Sequence, residues 1–357
     1  MKTLEIKLPF KLKKSVLALG PQTKNTICWA KADRAWVSPL HGDLSIHKSL
    51  SDFERCAKYF LKKRPKIIAC DLHPEYQSTR YAFSLQNRYL IRPIQHHHAH
   101  IASCMAENGL KNQKIIGVAF DGTGLGVDNT IWGAEFLLCD YKNFSRGAHL
   151  KEIPLVGGER AILEPRRLVA AWLNFDQAID KKQLFRKIYL CGINSPLASS
   201  MGRLFDAAGS LILGKEKAKF EAELAIELEK LAAKNYLKTA GYKFKISKSP
   251  EGYILDPSGI FKQIVRDLKA KKPREQIAQK FHATVAQMIL KTCLILRRQS
   301  KINKVVLSGG VFQNKLLLSI CLDLLYKQGF KVFTHQQLSC NDAGVSLGQA
   351  VISGYRG

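Results

Sequence analysis

The chain has 357 residues, 46% of them hydrophobic and 24% charged, a composition ordinary for a globular protein and long enough for two core-bearing lobes. No stretch of 18 apolar residues is present, so no membrane span is expected. Lysine and arginine number 56 against 29 acids, a net charge of +27. That excess points to polyanionic partners such as nucleic acid, nucleotides or an acidic protein, or to lysines scattered for solubility.

Nine cysteines occur without a C-x-x-C pair, which argues against a zinc ribbon and fits reduced thiols in a cytoplasmic protein. The N-terminal MKTLEIKLPFKLKKS lacks the apolar core of a signal peptide. Residues 1–14 read as a basic arm or an edge strand. Residues 15–46 read as a strand pair, about 50–63 as an amphipathic helix, and KIIACD (66–71) as a buried strand. A helical segment at 78–88 and an extended RPIQ follow, and a helix starts within QHHHAH and ends near Gly109.

The pattern then restarts. KIIGVAF (114–120) is a strand, DGTGLGVD a glycine-rich turn, and IWGAEFLLCD (131–140) a second strand. Residues 160–235 are largely helical, 236–260 are broken by Pro250, Gly252, Pro257 and Gly259, and a long helix covers about 274–298. KVVLSGG (304–310) is a strand into a glycine turn. A helix at 314–328, a strand at 330–335 and a last helix at 341–353 complete the chain. One element order thus occurs twice, over 15–113 and over 114–357, the second copy carrying a helical insertion at about 160–300. The expected fold class is α/β: the duplicated two-lobed plan of the actin and sugar-kinase superfamily (ASKHA, ribonuclease H-like), with a nucleotide cleft between the lobes.

Four stretches carry chemistry. In FDGTGLGVD, Gly122, Gly124 and Gly126 permit positive φ and close backbone approach, Asp121 leads the turn, and the N–H groups around Thr123 can line a phosphate. The alternative is a tight hairpin without a ligand. In LSGGVFQN, Gly309 and Gly310 open a helix whose N-terminus suits a phosphate, and Asn314 suits a ribose or base, or simply caps that helix. SSMGRLFDAAGSLILG places Gly202 near a helix start capped by Ser199 or Ser200. Its Asp206 stands on an apolar face, where it needs a partner: a ribose, or a salt bridge to Arg203.

The fourth stretch holds four of the ten histidines in five positions. His96 and His100, four apart, lie on one helix face in a chelating spacing. Two histidines seldom complete a metal site, and Asp121 and Asp342 are the candidate carboxylates. A solvated histidine face is the alternative. Further candidates near the cleft are Lys24, His73, Glu159 and Arg166, in loops that follow extended segments.

Taken together, LGPQTKNT, CDLHPEYQSTRYA, QHHHAHIASCMAE, FDGTGLGVDNTIWGAE, LVGGERAILEPRR, SSMGRLFDAAGSLILG, VVLSGGVFQNKLL and NDAGVSLGQA resemble the C-terminal transferase region of the hydrogenase maturation carbamoyltransferases, the HypF family. The resemblance implies a fold like that of the tRNA threonylcarbamoyl transferases. It implies carbamoyl transfer from ATP and carbamoyl phosphate, through a carbamoyl-adenylate, to the thiol of a partner's C-terminal cysteine. It implies a divalent metal, Fe2+ or Zn2+, on His96, His100, Asp342 and Asp121, with His97 and His98 behind the ligands or facing substrate. Asp206 and Asn314 would fix ribose and adenine.

Family members carry an acylphosphatase-like domain, paired zinc fingers and a YrdC-like adenylate-forming domain before this region. None is found here, so the chain is expected to need a separate YrdC-like partner, to receive a diffusible intermediate or to have another role, with a HypE-like protein as the acceptor that the resemblance implies. Leu125, Ala134, Ala343 and FEAE at 220–223 also depart from the family pattern. A tRNA-modifying role is the alternative that the charge favours and that the FDGTG and HHHAH forms oppose. A non-catalytic nucleotide-binding subunit is a third reading.

Overall fold

The computed structural model describes residues 2–174, 182–234 and 236–356. The expectation of helix over 160–235 therefore falls partly on residues 175–181 and 235, outside the described set.

The first half contains β1 (Leu4–Lys7), β2 (Val16–Ala18), β3 (Cys28–Lys31), β4 (Arg34–Val37), α1 (His47–Leu61), β5 (Ile67–Asp71), α2 (Gln77–Ser84), β6 (Leu90–Ile94) and α3 (His96–Glu107). The second opens with β7 (Ile115–Leu125), β8 (Ile131–Cys139) and β9 (Phe144–Leu150). An inserted region follows: β10 (Ile153–Pro154), α4 (Arg160–Leu163), α5 (Arg166–Trp172), α6 (Lys182–Leu190), β11 (Leu197–Ser200), α7 (Met201–Leu213), α8 (Glu223–Ala233), β12 (Lys245–Ser249), β13 (Gly252–Asp256), α9 (Ser258–Lys269) and α10 (Arg274–Ser300). The half closes with β14 (Lys304–Ser308), α11 (Lys315–Lys327), β15 (Lys331–Phe333) and α12 (Val345–Arg356).

The first sheet runs β1-β4-β3-β2-β5-β6 and the second β12-β13-β9-β8-β7-β14-β15. Within each, a three-stranded antiparallel meander (β2–β4, β7–β9) is extended by two parallel strands (β5 and β6, β14 and β15). The duplicated two-lobed α/β architecture of the actin and sugar-kinase type is therefore present. The buried strands Ile67–Asp71 and Val305–Ser308 are continuous apolar runs capped by one polar residue, as parallel strands covered on both faces require.

The final helix of each half packs on the sheet of the other. Helix α3 lies against β7 and β14, and α12 lies against β2, β3 and β5, while the two helices also pack on each other. Residues His96 to Ala106 are all buried, which is why α3 shows no apolar stripe. The crossing is tight: a Cβ on Gly348 of α12 would stand 1.8 Å from the Ala99 carbonyl oxygen of α3. Gln95 caps α3 by accepting the His98 N–H, and Gly109 (φ +69°) follows its end.

Three expectations change. Residues 1–14 take the edge-strand alternative and not the basic arm: β1 is the edge strand paired antiparallel with β4, and Ile6, Leu8 and Leu12 are buried, because that segment carries apolar residues between its lysines. DGTGLGVD is not wholly a turn. Strand β7 continues to Leu125 through a register shift after Phe120, and none of Gly122, Gly124 and Gly126 has positive φ. Their lack of a side chain serves close approach instead. A Cβ at Gly124 would stand 2.5 Å from the His97 ring. Finally, β9 and α9 sit in segments for which the sequence pattern assigned no element.

Candidate functional site

The crossing of α3 and α12 assembles the four residues expected as metal ligands. His96 and His100 come from the first two turns of α3, Asp121 from β7, and Asp342 from a 3-10 turn just before α12. Their ligand atoms all lie within 4.8 Å of one another. His100 Nε2 is 2.8 Å from Asp121 Oδ2 and 3.7 Å from Asp342 Oδ1, while His96 Nε2 is 3.9 and 3.7 Å from the same two oxygens. His96 Nδ1 is bound to Asp71 Oδ2 at 2.8 Å, and Thr23 donates to Asp342 Oδ2 at 3.1 Å, so the first lobe braces both ends of the cluster.

The residues fit a divalent cation. His96 Nε2, His100 Nε2 and Asp121 Oδ2 are buried and lack an aligned hydrogen-bond partner, a costly arrangement that a cation would relieve. Two imidazoles and two carboxylates suit Fe2+ or Zn2+. Burial alone would push His96 and His100 down. The carboxylates of Asp71, Asp121 and Asp342 around His96, and of Asp121 and Asp342 around His100, overcome it, and both histidines titrate above their ordinary value. Asp121 and Asp342 are in turn drawn well below the usual carboxylate range, the two histidines outweighing burial. Protonation of the two histidines and metal binding therefore compete at the cluster.

Two adjoining cavities meet at Asp121 and Gly122, with Lys24 and Glu221 in both walls. The smaller, about 230 Å³, is bordered by the start of α7, by α8 and by Gly310 to Asn314. Its floor is bare backbone. A Cβ on Gly202 would stand 2.9 Å from Gly122 Cα, and one on Gly310 would stand 3.1 Å from Asp121 Oδ1. The larger, about 840 Å³, is lined by His73, Tyr76, Thr123, Gly124, Glu159, Arg160 and Asp342. His73 stacks flat on Tyr76 with centroids 4.3 Å apart. Lys24 holds a left-handed φ of +45° at the tip of the β2–β3 connection, an uncommon conformation for a residue with a side chain.

Other expected residues are placed differently. Asp206 lines neither cavity. It is buried with its carboxylate 2.9 Å from Arg203 Nε, the salt-bridge alternative, and burial lifts it to about 6 despite that guanidinium. Arg203 and Glu221, neither of them expected at the cleft, reach the smaller cavity instead. Asn314 borders the cavity but spends its oxygen capping α11 through Leu317 N–H and its amide on His282. Gly309, beneath Gly310, is pressed onto the Phe120 backbone and outside the cavity lining.

His97 is buried under Gly124 with its Nδ1 3.1 Å from Gln95 Nε2, so it backs the site rather than entering it. His98 lines neither cavity. Its Nε2 lies 2.7 Å from the Asp140 carbonyl oxygen beside Phe144, and burial lowers it to about 4. Arg166 points to Glu216 and Glu164, outside both cavities, while Arg160, on the short helix before it, lines the larger one. In DLHPEYQST, Asp71, His73 and Tyr76 read from the sequence as polar groups carried toward the cleft; the contact of Asp71 with His96 needs the fold.

Comparison with known proteins agrees with this architecture. The family description "Carbamoyltransferase, Kae1-like Domain, second subdomain" matches residues 117–349, and "HypF Kae1-like domain" matches 11–107. A carbamoyltransferase HypF of Synechocystis is 34% identical over 96% of this chain and 48% of its own length. A HypF homolog of Cupriavidus necator is 32% identical over 95% of this chain and 91% of its length. A full-length HypF crystal structure in the phosphate- and nucleotide-bound form superposes with a TM-score of 0.92 at 40% identity, covering 98% of this chain and 56% of that one. The chain thus spans about half the length of several curated relatives it matches. No helix among the described residues is long and apolar enough to cross a membrane. On these matches and on the duplicated fold, the chain belongs to the HypF family, as its Kae1-like carbamoyltransferase region.

Proposed function

We propose that this chain transfers a carbamoyl group from carbamoyl-adenylate, formed from ATP and carbamoyl phosphate, to an acceptor, a protein thiol as in hydrogenase maturation. The reading is carried by one observation: a two-histidine, two-carboxylate cluster at the junction of two cavities, one of about 230 Å³ that glycines help to line and one of about 840 Å³.

In this reading the smaller cavity takes the adenylate. Backbone N–H groups around Gly202 and Gly310 meet its phosphate, the latter opening the 3-10 turn that leads to α11, while Gly122, whose N–H donates to Asp121 Oδ1 at 2.7 Å, leaves room for its approach. Lys24, in the wall of both cavities, faces the anion from the other lobe. Asn314 is proposed at the base or ribose edge. Arg203 and Glu221 form the polar rim, and Asp206 acts by holding Arg203. His96, His100, Asp121 and Asp342 would hold Fe2+ or Zn2+, which supplies Lewis-acid polarisation of the carbamoyl carbonyl. Asp71 orients His96, and His97 closes the site behind Gly124. The larger cavity takes the acceptor, with His73, Tyr76, Glu159 and Arg160 along the approach.

The deep thiols of this chain are poor acceptors. Burial raises Cys28, Cys139, Cys293 and Cys321 far above the ordinary thiol range. The acceptor is therefore proposed to come from a HypE-like partner, and the adenylate from a YrdC-like partner, in the cytoplasm.

The test supplies ATP, labelled carbamoyl phosphate and a peptide ending in cysteine, with and without a YrdC-like domain. Label on the peptide thiol only when both proteins are present supports the reading. Label on tRNA instead, lost as salt is raised, would move it to the nucleic-acid class. Absence of both metal and adenine-nucleotide binding would remove it.

A further inference from the structure

Each histidine of the cluster is held at its far nitrogen by the last residue of a corresponding strand. Strands β5 and β14 occupy the same place in the two sheet orders. Asp71 ends β5 and meets His96 Nδ1 at 2.8 Å. Ser308 ends β14, and its Oγ stands 3.4 Å from His100 Nδ1. A hydroxyl, unlike a carboxylate, can donate as well as accept, so Ser308 alone leaves the tautomer of His100 open. What lies behind Ser308 decides it.

Ser308 Oγ is also 2.8 Å from His335 Nε2, and His335 Nδ1 is 3.1 Å from Glu107 Oε1. Both side chains are shut in, His335 at 4% and Glu107 at 0% exposure. Glu107 ends α3, eleven residues after His96, so the helix that begins the cluster also anchors the chain behind it. The Glu107 carboxylate accepts the N–H groups of Gln336 at 2.7 Å and Leu338 at 2.9 Å. These two bonds fix the loop that carries His335.

We propose that Ser308, His335 and Glu107 are positioning residues that set the tautomer of His100 for metal binding; this rests on the metal reading above. In this proposal Glu107 accepts and His335 is the neutral ring with its proton on Nδ1, 3.1 Å from Glu107 Oε1. His335 Nε2 is then an acceptor and takes the Ser308 hydroxyl proton. The Ser308 oxygen is left to accept from His100 Nδ1–H. His100 Nε2 therefore presents its lone pair toward Asp121 and Asp342. Asp71 produces the same tautomer in His96 in one step. The first lobe uses a carboxylate and the second a three-residue chain, to the same end.

A rival reading makes Cys104, Glu107 and His335 a second metal site, since their donor atoms lie within 4.8 Å of one another. Two observations weigh against it. Glu107 Oε1 accepts from Gln336 N–H and also faces His335 Nδ1 at 3.1 Å, and Oε2 accepts from Leu338 N–H, so the carboxylate is turned to donors. Burial, assisted by the Glu107 charge, raises the Cys104 thiol far above its ordinary range, so it stays a neutral S–H and a weak ligand.

The experiment is Co2+ titration of the whole chain, followed by the visible ligand-field spectrum, with thermal unfolding of each metal-free variant alongside. Wild type should bind one Co2+. Ser308→Ala and His335→Ala should each weaken it about 10- to 100-fold and shift its spectrum, Ser308→Thr should restore both, and Cys104→Ala should change neither. If His335→Ala loses cooperative unfolding, Ser308→Ala, which removes one oxygen, decides. Wild-type affinity and spectrum in folded Ser308→Ala overturn the proposal while leaving the metal reading intact. So does a second Co2+ equivalent that Cys104→Ala removes. No Co2+ bound by wild type overturns both.

Discussion

The two halves share a strand order and differ in what hangs from it. The first is compact: short connections, one sheet, and α3, which carries both cluster histidines into the other lobe. The second carries the insertion from β10 to α10, which supplies Glu159, Arg160, Arg203 and Glu221 to the cavity walls. The halves are tied by exchange of their last helices, so the cluster sits where both must be correct at once. The difference teaches a division of labour. The duplicated frame places the cluster, and the insertion shapes what can reach it.

Breaking the exchange should have the largest effect. Gly348→Ala puts a methyl 1.8 Å from the Ala99 carbonyl of the crossing helix. The expected loss is on the order of 4 kcal/mol or more, seen as failure to unfold cooperatively in a thermal melt. A melt within a few degrees of wild type would show that the helices separate freely. Next comes the frame's own chemistry. His100→Ala should abolish divalent-metal binding and carbamoyl transfer while thermal unfolding of the metal-free protein stays cooperative. Full transfer by this variant with no metal present would remove the cluster from the reaction.

Smaller effects separate residues that support the frame from those that serve it. His98, on the far side of α3, and His282, behind Asn314, are both lowered to about 4, chiefly by burial. Their folded values lie below the ordinary 6.5, so the neutral form is favoured in the fold. Their stabilisation is present above pH 6.5 and is lost as the pH falls toward 4, by roughly 1–3 kcal/mol each. Denaturant unfolding at pH 7 and pH 4.5 should show that loss, and His98→Asn should reduce it without changing metal affinity. Within the insertion, Arg160→Ala should lower transfer about tenfold, equal to roughly 1.4 kcal/mol. Arg166→Ala, whose partners Glu216 and Glu164 lie outside the cavities, should change it less than twofold. Equal effects of the two would erase the distinction.

Much of the cluster was legible because its signals are local. A pair of histidines four apart on a helix, and an aspartate beginning each of two glycine-containing stretches, need no tertiary information. The exchange of α3 and α12 was not legible, since periodicity reports how far a helix is buried and not against which sheet. FDGTGL reads equally as a turn and as an irregular strand, because glycine permits both. Arg160 and Arg166 carry the same local pattern, and only the rotation between two short helices separates them. Asp206 illustrates the same limit: a carboxylate on an apolar face needs a partner, and sequence cannot choose between ribose and Arg203. His335 lies alone after β15 with no motif around it, so its place behind His100 required coordinates.

The central claim, that crossing helices build one divalent-metal site at the meeting of two cavities, is tested most directly by anomalous diffraction at the zinc edge on crystals of the whole chain grown with Zn2+. The account predicts one strong peak within about 2.3 Å of His96 Nε2, His100 Nε2 and the carboxylates of Asp121 and Asp342. A peak at Cys104 and His335 instead, or none at the cluster with Zn2+ in excess, would contradict it.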